Sequence, residues 1–248
     1  MGFMVSQRGI EVNPEKIQAI MELEPPKMVK EVQSLNGKIT ALNKFVSKAT
    51  DKCLPFFRTL RKSFEWTDEC QKAFEDLKKY LSSPPLLSPS KPGEELYLYL
   101  AVSQAAVSAA LVREEDRSQR LVYFISRAFR GAEARYPQME KLAFTLVTAA
   151  RKLKPYFQAH TIIVLTDRPL RRAMSSPEAA RQMALWVVEL SEFDIQYHPR
   201  TAIKGQVVAD FINEFAQSED KGEENAAQWN IHTDISSNRR TRGADVVI

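Results

Sequence analysis

The sequence predicts a mixed α/β protein in which a helical segment, residues 1–85, precedes a sheet-and-helix region, residues 94–215. Three patterns carry that expectation. Val29, Val32, Leu35, Ile39, Leu42 and Val46 recur at threes and fours, the period of one helix face. Leu96, Leu98 and Leu100 alternate with Tyr97, Tyr99 and Ala101, the period of two of a strand. TIIVLT, residues 161–166, is an unbroken apolar run of strand length, as expected where both faces of a sheet are covered.

Each element has its own local reason. Asn13 can cap a helix with Pro14 at its first position, and Pro25-Pro26 ends it. The apolar stripe from Val29 forms a second helix. Thr67, followed by Asp68 and Glu69 in the first turn and by Ala73, Phe74, Leu77, Tyr80 and Leu81, opens a third. SSPPLLSPSKPG, residues 82–93, breaks all regularity and reads as a linker or a docked turn. Residues 106–113 and 120–127, separated by the charged EEDRSQ, suit an antiparallel meander after the strand at Leu96. A strong helix follows Pro137, with Leu142, Leu146, Ala149, Ala150 and Leu153 inward. A helix from about Glu178 to Leu190, a strand at FDIQYH and a last helix from about Lys204 to Glu214 complete the order, which is mixed α/β. Residues 216–228 are acidic and polar, the composition of a flexible tether, and residues 229–248 stand apart behind it.

Composition excludes several classes. The 248 residues, 44% of them hydrophobic, suit a globular core, and no apolar run reaches the roughly 20 residues of a membrane span. No secretory signal pattern is present, so a soluble intracellular protein without membrane partners is expected. Gly2 formally matches a myristoylation pattern, but its context reads as interior sequence. Cys53 and Cys70 have no neighbouring histidines and no close pairing, which points to buried thiols. The net charge of +4 is uneven. Between Lys27 and Lys62 nine Lys or Arg, among them Lys27, Lys30, Lys38 and Lys44, face only Glu31 and Asp51. A second basic set, Arg168, Arg171 and Arg172, follows Asp167. Either is a candidate phosphate-facing surface or an ordinary solvated face.

Four stretches carry the chemistry: ELYLYLAVSQAAVSAALV around Ala101, RYPQMEKLA around Glu140, VLTDRPL around Asp167 and VADFINEF around Asp210. Together they resemble the ribonuclease H domain in the pol polyprotein of plant gypsy-type long-terminal-repeat retrotransposons. The resemblance covers nearly everything from Gly2 to Glu214. It implies a thumb-like helical segment, then a ribonuclease H-like mixed five-stranded sheet with flanking helices. The family's first stretch reads Thr-Asp-Ala-Ser, two variable residues, then Ala-Ile-Gly-Ala-Val-Leu. Aligned without a gap on Ser103, Ala106, Ala109 and Leu111, its catalytic Asp falls on Ala101.

In such enzymes two Mg²⁺ ions roughly 4 Å apart, held by converging carboxylates, cut the RNA strand of an RNA–DNA hybrid. The resemblance places Glu140, Asp167 and Asp210 as the surviving catalytic and metal-holding acids, with weak or absent Mg²⁺ binding expected, because the bridging position carries a methyl group. Each acid has a plainer alternative: Glu140 at a helix N-terminus, Asp167 capping the turn into Pro169, and Asp210 solvated. Tyr97, Tyr99, Tyr123, Phe124 and Tyr136 either stack on nucleotides or serve as core and cross-strand partners. Trp186 reads as core.

WNIHTDISSNRRTRGADVVI resembles the opening of a second ribonuclease H domain, with Asp234 at its first catalytic Asp and Ile235 where Gly is usual. A fragment of that length is expected to be frayed and inert. The paired aspartates of a polymerase palm are missing, so no polymerase activity is expected of these residues. The partners implied are an RNA–DNA hybrid and the upstream polymerase domain of the parent polyprotein, in a cytoplasmic particle or the nucleus. Two functions remain open: a nucleic-acid-binding module impaired in catalysis, or an active Mg²⁺-dependent ribonuclease H using a substitute acid.

Overall fold

Residues 14–21 form the first helix, and the reason lies at its start. Asn13 keeps extended backbone angles, its side-chain oxygen accepts from the Glu15 amide at 2.9 Å, and Pro14 takes the first helical position. The computed structural model describes residues 3–6, 9–60, 64–116, 118–176, 181–200 and 211, and the backbone of 232–238 and 241–247. In chain order the first compact unit, residues 1–215, contains strands β1 (Phe3–Ser6) and β2 (Gly9–Val12) and helices α1 (Pro14–Met21), α2 (Val29–Ala41), α3 (Ala49–Lys52), α4 (Leu54–Thr59) and α5 (Asp68–Leu81). Strands β3 (Leu96–Val102), β4 (Ala106–Glu115) and β5 (Ser118–Ala128) follow. Then come α6 (Gln138–Lys152), α7 (Lys154–Ala159), β6 (Ile162–Leu165), α8 (Leu170–Met174), α9 (Arg181–Leu190) and β7 (Ile195–His198). The expected helix at 204–214 falls outside the described residues, apart from Phe211.

The first segment is not wholly helical. An antiparallel hairpin, β1 with β2, precedes α1, with Phe3 opposite Val12 and Ser6 opposite Gly9. It is fixed from a distance: Ile10 exchanges backbone hydrogen bonds with Leu87, at 2.7 and 3.0 Å. Gly9 makes this approach possible, since its φ is +140° and a Cβ there would lie 2.4 Å from the Leu87 carbonyl oxygen. Residues 82–93 are therefore docked, not a free linker: Leu87 is buried and the Ser88 amide donates to the Leu121 carbonyl at 2.7 Å. In α2 the apolar stripe holds for Val32, Leu35 and Ile39, whereas Val29 is exposed. After Ala41 the chain breaks into a 3-10 turn at Asn43–Phe45 and the short helices α3 and α4.

The sheet is five-stranded among the described residues, in the order β5-β4-β3-β6-β7. β3, β4 and β5 pair antiparallel, while β3–β6 and β6–β7 are parallel, the mixed arrangement expected. Both faces of its central strands are covered. Leu96, Leu98 and Leu100 face a core shared with α6 and α9, containing Leu146, Phe157 and Trp186. Tyr99 and Ala101 face a second core that runs without interruption into the helical segment through Phe124, Phe45, Phe56 and Leu35. The aromatic residues take their packing roles: Tyr99 is fully buried with its hydroxyl donating to Gln119 Oε1 at 2.9 Å, and Tyr136 stacks edge-on against Phe144 and Trp186. The cysteines are buried free thiols, and burial pushes Cys53 up to about 12 against the opposing pull of Lys52. Among the described residues no helix is long and apolar enough to cross a membrane.

At the N-terminal end of β3 a charged cluster closes the sheet. The Arg113 side chain is 5% exposed and donates to both Glu94 carboxylate oxygens, with Glu115 on its other side at 3.3 Å. Burial raises the Glu94 carboxyl, but the Arg113 guanidinium and the Lys91 amide outweigh it and hold the group below its ordinary 4.5. A carboxyl depressed on folding stabilises the protein above its unfolded value, and that contribution disappears as pH falls through the folded value. Melting midpoints measured against pH should thus fall on acidification below about 4.5, and Glu94→Gln should show a lower plateau and a shallower fall. An unchanged acid profile in the variant would remove Glu94 from this role.

The second unit, residues 216–248, contains β8 (His232–Asn238) paired antiparallel with β9 (Thr241–Val247). The stretch expected to fray is thus a hairpin, with Asp234 opposite Asp245.

Candidate nucleic-acid interface

The parallel register aligns the ends of three strands. Tyr99 of β3 stands beside Leu165 of β6, and Leu165 beside His198 of β7. Two residues onward along each chain lie Ala101, Asp167 and Arg200; the last two are past the paired strand residues, and hydrogen bonds, not strand register, group the three into a row. Hydrogen bonds tie the row together: the Arg200 amide donates to Asp167 Oδ1 at 3.0 Å, and Arg200 Nη2 donates to the Leu100 carbonyl at 3.3 Å. A guanidinium is therefore held one residue from Ala101. Asp167 itself is exposed, in a turn where Thr166 Oγ1 accepts from the Arg168 amide at 3.1 Å. The turn into Pro169 is thus held by Thr166, and the Asp167 carboxylate reaches instead to the chain end of β7.

On the other side of Ala101, Ser103 organises the turn into β4. Its hydroxyl oxygen accepts from the amides of Ala105 and Ala106 and donates to Asp51 Oδ1 at 2.7 Å. Asp51 belongs to α3, so the helical segment delivers a carboxylate to the strand end that carries Ala101. Ala101 is 7% exposed and lies opposite Ser108. A methyl group there offers no ligand. Glu140 occupies the first turn of α6, half-buried, and Asp210 lies outside the described residues. Among the described residues no three Asp, Glu, His or Cys side chains gather closely enough to hold a metal ion. Among the described residues the acids near Ala101 do not converge as a two-magnesium centre requires, and a cation, Arg200, stands beside Asp167.

The basic residues divide sharply. Next to Asp167 an open concavity of ≈ 500 Å³ is walled by Arg168, Arg171, Arg172, Tyr197 and His198. All three arginines are exposed, and none has a carboxylate partner among the described residues. Burial raises the Tyr197 hydroxyl, against the opposing pull of Arg171. The concavity thus presents positive charge beside an aromatic ring at the C-terminal edge of parallel strands. The helical run behaves differently. Lys44 lies over the Phe3 ring, 3.2 Å from its centre, and burial lowers its pKa. Lys52 donates to the Ser47 carbonyl and covers Tyr80, and Lys27 pairs with Glu24 at 3.2 Å. Lys30 is exposed and Lys38 half-buried. Counting charges along the chain could not separate these groups, because the fold turns part of the run inward. Arg200 and Asp51 were also missed; strand pairing and helix docking bring them to the site.

Residues 66–164 match the family model described as the RNase H-like domain found in reverse transcriptase. The match begins at α5, so that helix belongs to the matched region along with the sheet. The retrovirus-related Pol polyprotein from transposon opus of Drosophila melanogaster is 26% identical over 230 residues, covering 86% of this chain and 23% of that protein. The transposon Tf2-3 polyprotein of Schizosaccharomyces pombe is 26% identical over 212 residues, covering 82% of this chain and 16% of its own length. The chain thus spans less than a quarter of these relatives. Among solved structures, the foamy viral protease-reverse transcriptase in complex with RNA/DNA hybrid aligns with a TM-score of 0.69 at 19% identity, covering 82% of this chain and 29% of the other. The same viral protein in complex with dsDNA gives 0.67 at 20% identity, over 82% and 44%. These alignments establish a ribonuclease H-like fold in the chain.

Proposed function

We propose that this chain is a nucleic-acid-holding piece of a gypsy-type retrotransposon polyprotein, of plant origin, that grips an RNA–DNA hybrid without cutting it. The observation that carries the reading is the row Ala101, Asp167, Arg200, where a methyl group and a guanidinium stand at the edge on which a metal-dependent nuclease needs converging carboxylates. Glu140, Asp167 and Asp210 are remnants of a catalytic set, and Mg²⁺ binds weakly or not at all without the shared ligand. Supporting the binding role, the concavity is lined by the exposed Arg168, Arg171 and Arg172, which have no carboxylate partner among the described residues, and guanidinium forks suit phosphate oxygens. Lys30 and Lys38 extend the surface on the helical side; Lys27 and Lys44 contribute less, being engaged within the chain.

In this reading residues 1–85 and 94–215 act as one clamp beside an upstream polymerase domain of the parent polyprotein. Residues 216–228 are a tether, and residues 229–248 open a second ribonuclease H-like domain, with Asp234 as its first acid. The competing reading, an active Mg²⁺-dependent ribonuclease H, keeps one favourable observation: Asp51 stands near the strand end as a substitute carboxylate.

Binding is tested by salt titration of a fluorescent RNA–DNA hybrid, read by anisotropy. Each phosphate contact contributes a log–log slope of about −0.9 on a duplex, so replacing Arg168, Arg171 and Arg172 together by Glu should flatten the slope by roughly 2.7. Hybrid binding by the parent chain that is absent, or indifferent to salt, would remove the proposal.

A further inference from the structure

A second cavity, of ≈ 250 Å³, lies where the helical segment meets the end of β5. Three cations border it from the sheet side: Arg127 at the end of β5, Arg130 just beyond, and Lys152 in the last turn of α6. Glu133 is the carboxylate that serves them, taking Arg127 Nη2 at 2.9 Å and the Arg130 amide at 2.8 Å. Lys152 makes one long contact, 3.4 Å to the Ser126 carbonyl. Burial, then Arg127 and Arg130, push its pKa down, the signature of a cation held without enough opposite charge. The helical wall adds Asn36, whose amide nitrogen and oxygen are both buried and lack a hydrogen-bond partner among the described residues. Its Nδ2 is a donor that an anion in the cavity would satisfy.

We propose that this cavity takes a phosphate group, held by Lys152, Arg130 and Arg127 from the sheet and by the Asn36 side chain from α2. Three positive charges gathered on one wall match a tetrahedral dianion or a phosphodiester better than a planar carboxylate, which a single arginine fork satisfies. Because the walls come from both halves of the unit, the bound phosphate fastens the helical segment to the sheet. The site is separate from the Arg168 concavity, being lined by different elements. A backbone phosphodiester of the hybrid, which rests on the function proposed above, and a free phosphate ion share this chemistry.

Two assays on the full chain separate these sources. The first is hybrid anisotropy against salt for the parent and for Arg130→Glu with Lys152→Glu, both exposed positions, with Lys152→Gln as a milder control of folding. The second is the melting midpoint against inorganic phosphate, with matched chloride as the ionic control. For a backbone phosphodiester the double variant should weaken hybrid binding and flatten the salt slope by roughly 1.8, two contacts at 0.9 each. For a free phosphate, hybrid binding is unchanged, while inorganic phosphate raises the parent's midpoint and not the variant's. Either result supports the site; no response in both assays overturns it. If the Arg168, Arg171 and Arg172 variant still loses hybrid binding in that case, the proposed function survives alone. If the parent binds no hybrid, the function fails and the phosphate titration decides the cavity.

Discussion

Ala101→Asp is expected to raise Mg²⁺-dependent cleavage of the RNA strand of a hybrid by ~10³-fold over the parent chain, because catalytic groups acting as a unit lose several orders of magnitude when one is removed. The new carboxylate joins the group that Arg200 links to Asp167, where it can share a metal ion. Arg200 opposes the gain. Its guanidinium, held 3.3 Å from the Leu100 carbonyl, is placed to pair with an acid at 101 and to repel a divalent cation. Arg200→Ala added to Ala101→Asp is therefore expected to give the larger rate, whereas Arg200→Ala alone stays at background. A labelled-RNA gel time course distinguishes the four chains. Equal cleavage by all of them would mean that neither the lost carboxylate nor the added guanidinium governs activity.

Trp186→Ala is expected to destabilise the first unit by about 3–5 kcal/mol, the usual cost of removing a large buried aromatic side chain. Trp186 is 2% exposed, and its ring packs 5.6 Å from Phe144 and 5.9 Å from Tyr136. It joins α9 to α6, whose first turn holds Glu140, and, through Tyr136, to the loop before α6. A domain with a total stability of about 5–15 kcal/mol loses a large share, and the melting midpoint should drop by roughly 10 °C or more. Thermal melts followed by far-ultraviolet circular dichroism measure this. A shift of only a degree or two would show that the aromatic cluster is peripheral to the fold.

The sheet was legible in the sequence because its two covers impose complementary patterns. Leu96, Leu98 and Leu100 serve the core under α6, while Tyr99 and Ala101 serve the core under the helical segment, so strict alternation survives even in a fully buried strand. The caps at Asn13 and Thr67 were legible for a local reason, since each side chain accepts from an amide two or three residues away. The hairpin of β1 and β2 was not, because its anchor, Leu87, lies far along the chain. Charge counting gave a uniform basic run, but Lys44 and Lys52 fold back over Phe3 and Tyr80, which only tertiary packing decides. At the site, motif context singled out Ala101, Glu140 and Asp167. Arg200 and Asp51 had no such context: one arrives through the pairing of β6 with β7, the other through docking of α3 against the turn after β3.

The central claim separates holding from cutting, and one experiment reads both at once. The parent chain is mixed with a doubly labelled RNA–DNA hybrid in Mg²⁺ at low salt, with anisotropy followed over time and the RNA strand sized afterwards on a gel. Binding that weakens steeply with added salt while the RNA stays at full length is the predicted result. Shortened RNA that no longer appears with Asp167→Asn would contradict it, and would make the chain a working nuclease.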